Sequence, residues 1–116
     1  MPELKGKLHG PSLRVLTSTV SVVDLVVDLK KSASVESINS ALKQAASEKL
    51  SGILEYCNEP LVSSDFRANP ASAIVDGLCT VALEEKMVKV LAWYDNEWGY
   101  SCRVADLAML MADKGL

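Results

Sequence analysis

Apolar and β-branched positions are densest in Thr19–Leu29 (T-V-S-V-V-D-L-V-V-D-L), which predicts a strand. Its positions Val23, Leu25, Val27 and Leu29 make one apolar face, expected to be core. The alternate positions mix Val20, Val22 and Val26 with Asp24 and Asp28, so that face is expected to be covered only near its start. The apolar run Ser12–Leu16 reads as a shorter strand before it. From Ser32 to Leu50 the period changes. Val35, Ile38, Leu42 and Ala45 fall at helical spacing opposite Glu36, Lys43 and Glu48, with Ser34 as N-cap. Ile53–Tyr56 reads as a short strand after Gly52, and 58–70 as a long connection. Ile74 and Val75 pair briefly. Leu78–Leu83 and Met87–Tyr94 form two strands joined through Glu84-Glu85-Lys86, short enough for a hairpin. A last helix starts near 97–100 and runs to Lys114, with Val104, Leu107, Ala108 and Met111 as its buried stripe and Gly115 as its stop. This order gives an α+β fold: a mostly antiparallel sheet with helices on one face, ending in a C-terminal helix.

The 116 residues suit one domain or part of one. A chain of that length buries about 65% of its unfolded surface, enough for one core without staples. With 49% hydrophobic and 23% charged residues, disorder is not expected. The net charge is −3 and the basic residues are dispersed, so neither nucleic acid nor an anionic membrane is an expected partner. Cys57, Cys79 and Cys102 are widely spaced and lack a histidine cluster, so no disulfide framework and no metal site are expected. Reduced thiols fit a cytosol-like compartment. No apolar run reaches the roughly 20 residues of a membrane span, and the first ten residues do not read as a signal peptide.

Chemistry is sparse. His9 is alone in a polar stretch and reads as a solvated side chain. No Gly-rich phosphate loop and no G-x-S-x-G occur. Arg14, followed by Thr17, Ser18, Thr19 and Ser21, has the donors to hold a phosphate. The plainer alternative is an edge-strand arginine paired with Asp24 or Asp28. The junction Tyr94-Asp95-Asn96-Glu97-Trp98-Gly99-Tyr100-Ser101 joins a strand to a helix, a frequent ligand-binding place. Asn96 offers both the acceptor and the donor that a carboxamide ligand requires, and the aromatics could form a flat wall. The plainer alternative is that Asp95 or Asn96 caps the helix while the aromatics are core.

The stretch V-K-V-L-A-W-Y-D-N-E-W-G-Y-S-C-R-V-A-D-L closely resembles the C-terminal signature of phosphorylating glyceraldehyde-3-phosphate dehydrogenases. The resemblance extends to L-K-G-K-L, S-V-V-D-L-V-V and G-I-L-E-Y-C-N-E-P-L-V-S-S-D-F, and runs collinearly over essentially the whole chain. It implies a C-terminal part of the catalytic domain of an enzyme that oxidises its aldehyde through a cysteine thiohemiacetal. That enzyme passes a hydride to NAD or NADP and releases the acyl group to phosphate. By resemblance Asn96 binds the nicotinamide carboxamide, Tyr94 and Tyr100 lie near that ring, and Arg14 contacts a substrate phosphate.

The family's nucleophile lies in an S-C-T-T-N-C-type motif, followed by a histidine base. Both fall upstream of the residues here, and neither the three cysteines nor His9 matches them. The nucleotide-binding domain is likewise expected to be absent. No catalytic residue is therefore assigned, no dinucleotide is expected to bind tightly to this chain alone, and turnover without a partner is not expected. Where the family reads R-V-P-T, this chain has Arg14-Val15-Leu16-Thr17, which frees a φ angle and adds a backbone donor. Met1 stands at a place interior to the family's sequence, so an artificial or alternative start is expected. Two further readings stay open: a stand-alone, non-catalytic assembly or interaction module that kept the fold, and a fragment completed by a separate chain. Uncovered apolar surface on the last helix predicts a homo-oligomer. The resemblance fits a cytoplasmic protein, with the plastid stroma as the alternative.

Overall fold

The computed structural model describes residues 2–84 and 86–116. Its elements are β1 (Ser21–Asp28), α1 (Val35–Ser47), β2 (Leu54–Cys57), β3 (Ala73–Leu83), β4 (Met87–Tyr94) and α2 (Asn96–Asp113), with 3₁₀ turns at Pro2–Leu4 and Ser63–Phe66. The strands form one sheet in the order β1-β4-β3-β2. β1 and β3 both run antiparallel to β4, and β2 runs parallel to β3. The fold is α+β as the patterning indicates, but the sheet is mixed. The parallel pair follows from the 58–72 connection, which carries the chain from the end of β2 back to the start of β3.

Local chemistry sets these boundaries. Ser34 caps α1 by accepting a bond from the Ser37 N–H at 3.2 Å. β3 is one strand rather than two pieces. Its irregularity between Asp76 and Val81 is stabilised where Asp76 Oδ1 accepts from the Leu78 and Cys79 N–H groups at 3.1 and 3.2 Å. The bulge is also tied to α1: Asn39 Nδ2 donates to the Gly77 carbonyl at 2.9 Å, and Thr80 Oγ1 donates to Asn39 Oδ1 at 2.7 Å. The β3–β4 hairpin closes with Lys86 N–H on the Leu83 carbonyl at 3.1 Å; Glu85 and Met1 lie outside the described residues.

The core lies beneath the end of the sheet. Val20, Phe66, Ala71 and Ile74 are buried together, with Trp93 and Cys57 packed against them. The Phe66 and Trp93 rings stack at 5.8 Å. Trp93 Nε1 donates to Asp76 Oδ2 at 3.3 Å, so the indole keeps its polar partner.

Three expectations from patterning are corrected. Ser12–Leu16 forms no strand; Leu13, Val15 and Leu16 are exposed, because β1 is the edge of the sheet and nothing described pairs with its outer side. Neither face of β1 is core: Val23 and Leu25 on one and Val22 and Val26 on the other are all exposed, since α1 packs on β2 and β3. The α2 stripe of Val104, Leu107, Ala108 and Met111 is also exposed, because only the start of that helix reaches the sheet. Apolar periodicity marks faces that need covering, and within this chain these faces have no cover.

Candidate functional site

The strand-to-helix junction after β4 is built around Asp95. This residue is extended (φ −84°, ψ 115°), N-caps α2 and is 5% exposed. Its Oδ1 accepts from the Trp98 N–H at 3.0 Å and its Oδ2 from the Ala68 N–H at 2.9 Å. The Ala68 N–H is the main cause holding the Asp95 carboxyl below the ordinary aspartate range, followed by Trp98. Burial opposes them, and the Thr19 hydroxyl and the Glu97 N–H add smaller lowering contributions.

Asn96 opens α2 and is exposed. Its Oδ1 accepts from Ser21 Oγ at 2.9 Å, a bond that joins the first residue of β1 to the first of α2. One end of the amide is thus engaged. Because a serine hydroxyl can accept as well as donate, either end of the amide can be the one turned outward. Tyr100 lies one helical turn on, on the same face as Asn96, and is 72% exposed. Tyr94, opposite Ser21 in the sheet, is half-buried. The junction aromatics divide: Trp93 is core, whereas Trp98 and Tyr100 face outward.

Two contacts fix α2 against the sheet. A Cβ on Gly99 would sit 2.8 Å from the Ala71 carbonyl oxygen, so the helix approaches that backbone as only glycine allows. Arg103 Nη1 reaches the Gly52 carbonyl and Ser72 Oγ, each at 3.2 Å, while its Nε and Nη2 both hold Asp106 at 2.7 Å. Sequence reasoning gave Arg103 no role; Gly52 and Ser72, which it reaches, are far away in the chain.

Arg14 lies exposed in the extended segment before β1, and no hydrogen bond or ion pair involves it among the described residues. Asp24 instead pairs with Lys89 at 2.8 Å. The hydroxyls that follow Arg14 meet a different arginine: Arg67 Nη2 donates to Ser18 Oγ at 3.1 Å across an open cleft of about 260 Å³ that Thr17, Ser63 and Ser64 also line. Arg67 carried no signal in the sequence. The structure therefore assembles Asn96, Tyr100, Tyr94 and Ser21 at one junction and leaves Arg14 outside it.

No group of three or more His, Cys, Asp or Glu suited to a metal ion occurs among the described residues. The cysteines are half-buried and unpaired. Burial, then Asp76, pushes the Cys79 thiol up, which disfavours the thiolate a nucleophile needs. No described helix is long and apolar enough to cross a membrane.

A family model described as "Glyceraldehyde 3-phosphate dehydrogenase, C-terminal domain" matches residues 1–96. Glyceraldehyde-3-phosphate dehydrogenase 2 of Bacillus subtilis is 60% identical over 107 residues, covering 92% of this chain and 32% of the relative. The Geobacillus stearothermophilus enzyme of that name is 56% identical over 116 residues, covering 100% of this chain and 35% of its own length. Glyceraldehyde-3-phosphate dehydrogenase B, chloroplastic, of Pisum sativum is 56% identical over 115 residues, 98% of this chain and 26% of the relative. The chain spans about a third of the length of the bacterial relatives it matches.

Proposed function

Because the chain belongs to the glyceraldehyde-3-phosphate dehydrogenase family, over its C-terminal domain, we propose that it forms one wall of that family's active site. In this reading the nucleophile, the base and the dinucleotide platform come from sequence that the relatives carry outside the matched third. Asn96 is the nicotinamide anchor. The observation that carries this is the Ser21–Asn96 bond: it fixes one end of an exposed amide and turns the other outward. That arrangement suits a carboxamide, which needs a fixed and unblocked hydrogen-bonding partner.

NAD or NADP supplies hydride acceptance when bound. This chain orients its nicotinamide end through Asn96, with Tyr94 and Tyr100 beside it. Arg14 is the phosphate contact. The chain alone carries out no turnover. Its exposed apolar positions on β1 and α2 support association, either with the remainder of the enzyme or with further copies of itself. The compartment follows the complete enzyme, cytoplasm or plastid stroma, since the relatives include bacterial and chloroplastic forms.

The test is an assay of aldehyde-dependent NAD(P)H formation by the purified 116-residue chain, with phosphate present. Background rates are expected. Clear turnover would overturn the reading, because it would require a nucleophile and base among residues that offer neither.

A further inference from the structure

β1 leaves its outer edge open. Its eight residues pair with β4 on one side only, and no backbone hydrogen bond outside the sheet involves Ser21–Asp28 among the described residues. An unpaired strand edge is a template for another strand. The chain carries a second piece of strand-like sequence, Leu13-Arg14-Val15-Leu16, which is exposed and forms no regular element. The two pieces match residue by residue. With Arg14 set opposite Asp28 in an antiparallel pair, Leu13 meets Leu29, Val15 meets Val27 and Leu16 meets Val26. Side chains directly opposite one another share a face, so each apolar residue meets an apolar one and the arginine meets an aspartate. Asp28 is exposed and forms no ion pair among the described residues, whereas Asp24, the other acid on that face, is held by Lys89. A slip by one residue would put Arg14 onto the face of Val23, Leu25 and Val27.

One chain cannot make this pairing with itself. Thr17 would stand opposite Leu25, and the loop between them would have to use Ser21 to Asp24, which are already paired with β4. A hairpin turning at 17–20 would instead put Arg14 opposite Val23, and the chain is anchored elsewhere at that point: Arg67 donates to Ser18 Oγ at 3.1 Å and Val20 is buried in the core. We propose that β1 is the docking edge for a second copy of this chain, whose residues 13–16 add to it as an antiparallel strand with Arg14 opposite Asp28. Repeated about a two-fold axis the exchange is reciprocal, each copy giving its segment and receiving the other's. Leu13 and Val15 lengthen the apolar face that continues from Val27 to buried Val88. Arg14 serves one partner at a time: a second copy's Asp28 in the chain by itself, the substrate phosphate in the enzyme as read above. The pairing does not involve Asn96, so it stands apart from the nicotinamide reading.

The test is sedimentation velocity of Arg14→Asp, of Asp28→Arg and of their equimolar mixture, in phosphate-free buffer. Both substitutions lie at exposed positions, and circular dichroism checks that each chain stays folded. Each variant alone sets like charges opposite one another, two acids in the first and two arginines in the second. Each is expected to dimerise about tenfold more weakly than the parent. In the mixture an acid stands opposite an arginine at both contacts, and the parent's association is expected to return. Pairing within one chain would gain nothing from mixing. The set is repeated on a background of Leu107→Glu with Leu110→Glu, which weakens association through α2. Single variants that associate as well as the parent, a mixture no stronger than either variant, or a parent that is monomeric on that background would each overturn the proposal.

Discussion

Removing the Asp95 carboxylate strands two part-buried backbone donors at once, those of Ala68 and Trp98. Losing an N-cap costs about 1 kcal/mol, and an unsatisfied donor about 1–3 kcal/mol. Asp95→Ala is therefore expected to lower the unfolding free energy by about 2–3 kcal/mol, read from urea titrations monitored by Trp93 fluorescence. The pH dependence has a definite sign. The folded carboxyl titrates below its unfolded value, so its stabilisation is complete above the unfolded pKa of about 4 and disappears as pH falls through the folded pKa. The Asp95→Ala protein should accordingly lose less stability on acidification than the parent. At this scale the sequence showed residue types but not partners. A helix cap at position 95 or 96 was visible, because capping depends on neighbours along the chain, and the structure gives it to Asp95. The Ala68 bond, 27 residues away, and the Arg67 and Arg103 contacts were not, because only tertiary folding brings those groups together.

Elements reveal where periodicity informs and where it misleads. Asn39 and Ser34 locate α1 within a few residues of the patterned helix, and β4 matches its predicted span. β3 was divided in the sequence reading, into a brief pairing at Ile74 and Val75 and a strand over Leu78–Leu83. In the structure Asp76 bridges the bulge and the strand continues. α2 was given a buried stripe that stays exposed, since an amphipathic pattern records the surface a helix covers wherever that surface resides. The tightest backbone approach described for α2 is at Gly99. Gly99→Ala gains helix propensity of about 1 kcal/mol but forces a methyl group against the Ala71 carbonyl, overpacking that costs about 1–3 kcal/mol. The expected outcome is a lower Tm by calorimetry, together with a displaced start of α2. An unchanged or raised Tm would mean that α2 is free to move away from the sheet.

For the whole molecule, the unusual property is how much apolar surface lies outside. Val22, Val23, Leu25 and Val26 on β1, and Val104, Leu107, Leu110 and Met111 on α2, are each at least 42% exposed. Surfaces of that kind promote association. Sedimentation velocity is expected to show association that grows with concentration, and the double change Leu107→Glu with Leu110→Glu to weaken it while leaving the Phe66–Trp93 core intact. A clean monomer at high concentration would mean that these faces are covered in some other way. The family was legible in the sequence because its motifs are local and collinear. The uncovered face of α2 was legible as well, whereas the mixed sheet and the open faces of β1 were not, since both depend on what lies beside each strand.

The most direct measurement exchanges this chain for the matching third of the Geobacillus stearothermophilus enzyme, to which it is 56% identical over 116 residues, and compares the chimera with its Asn96→Ala variant. An active chimera whose variant shows a raised KM for dinucleotide and a lower kcat is predicted. An active chimera indifferent to Asn96 would contradict the assignment of this junction as the nicotinamide wall.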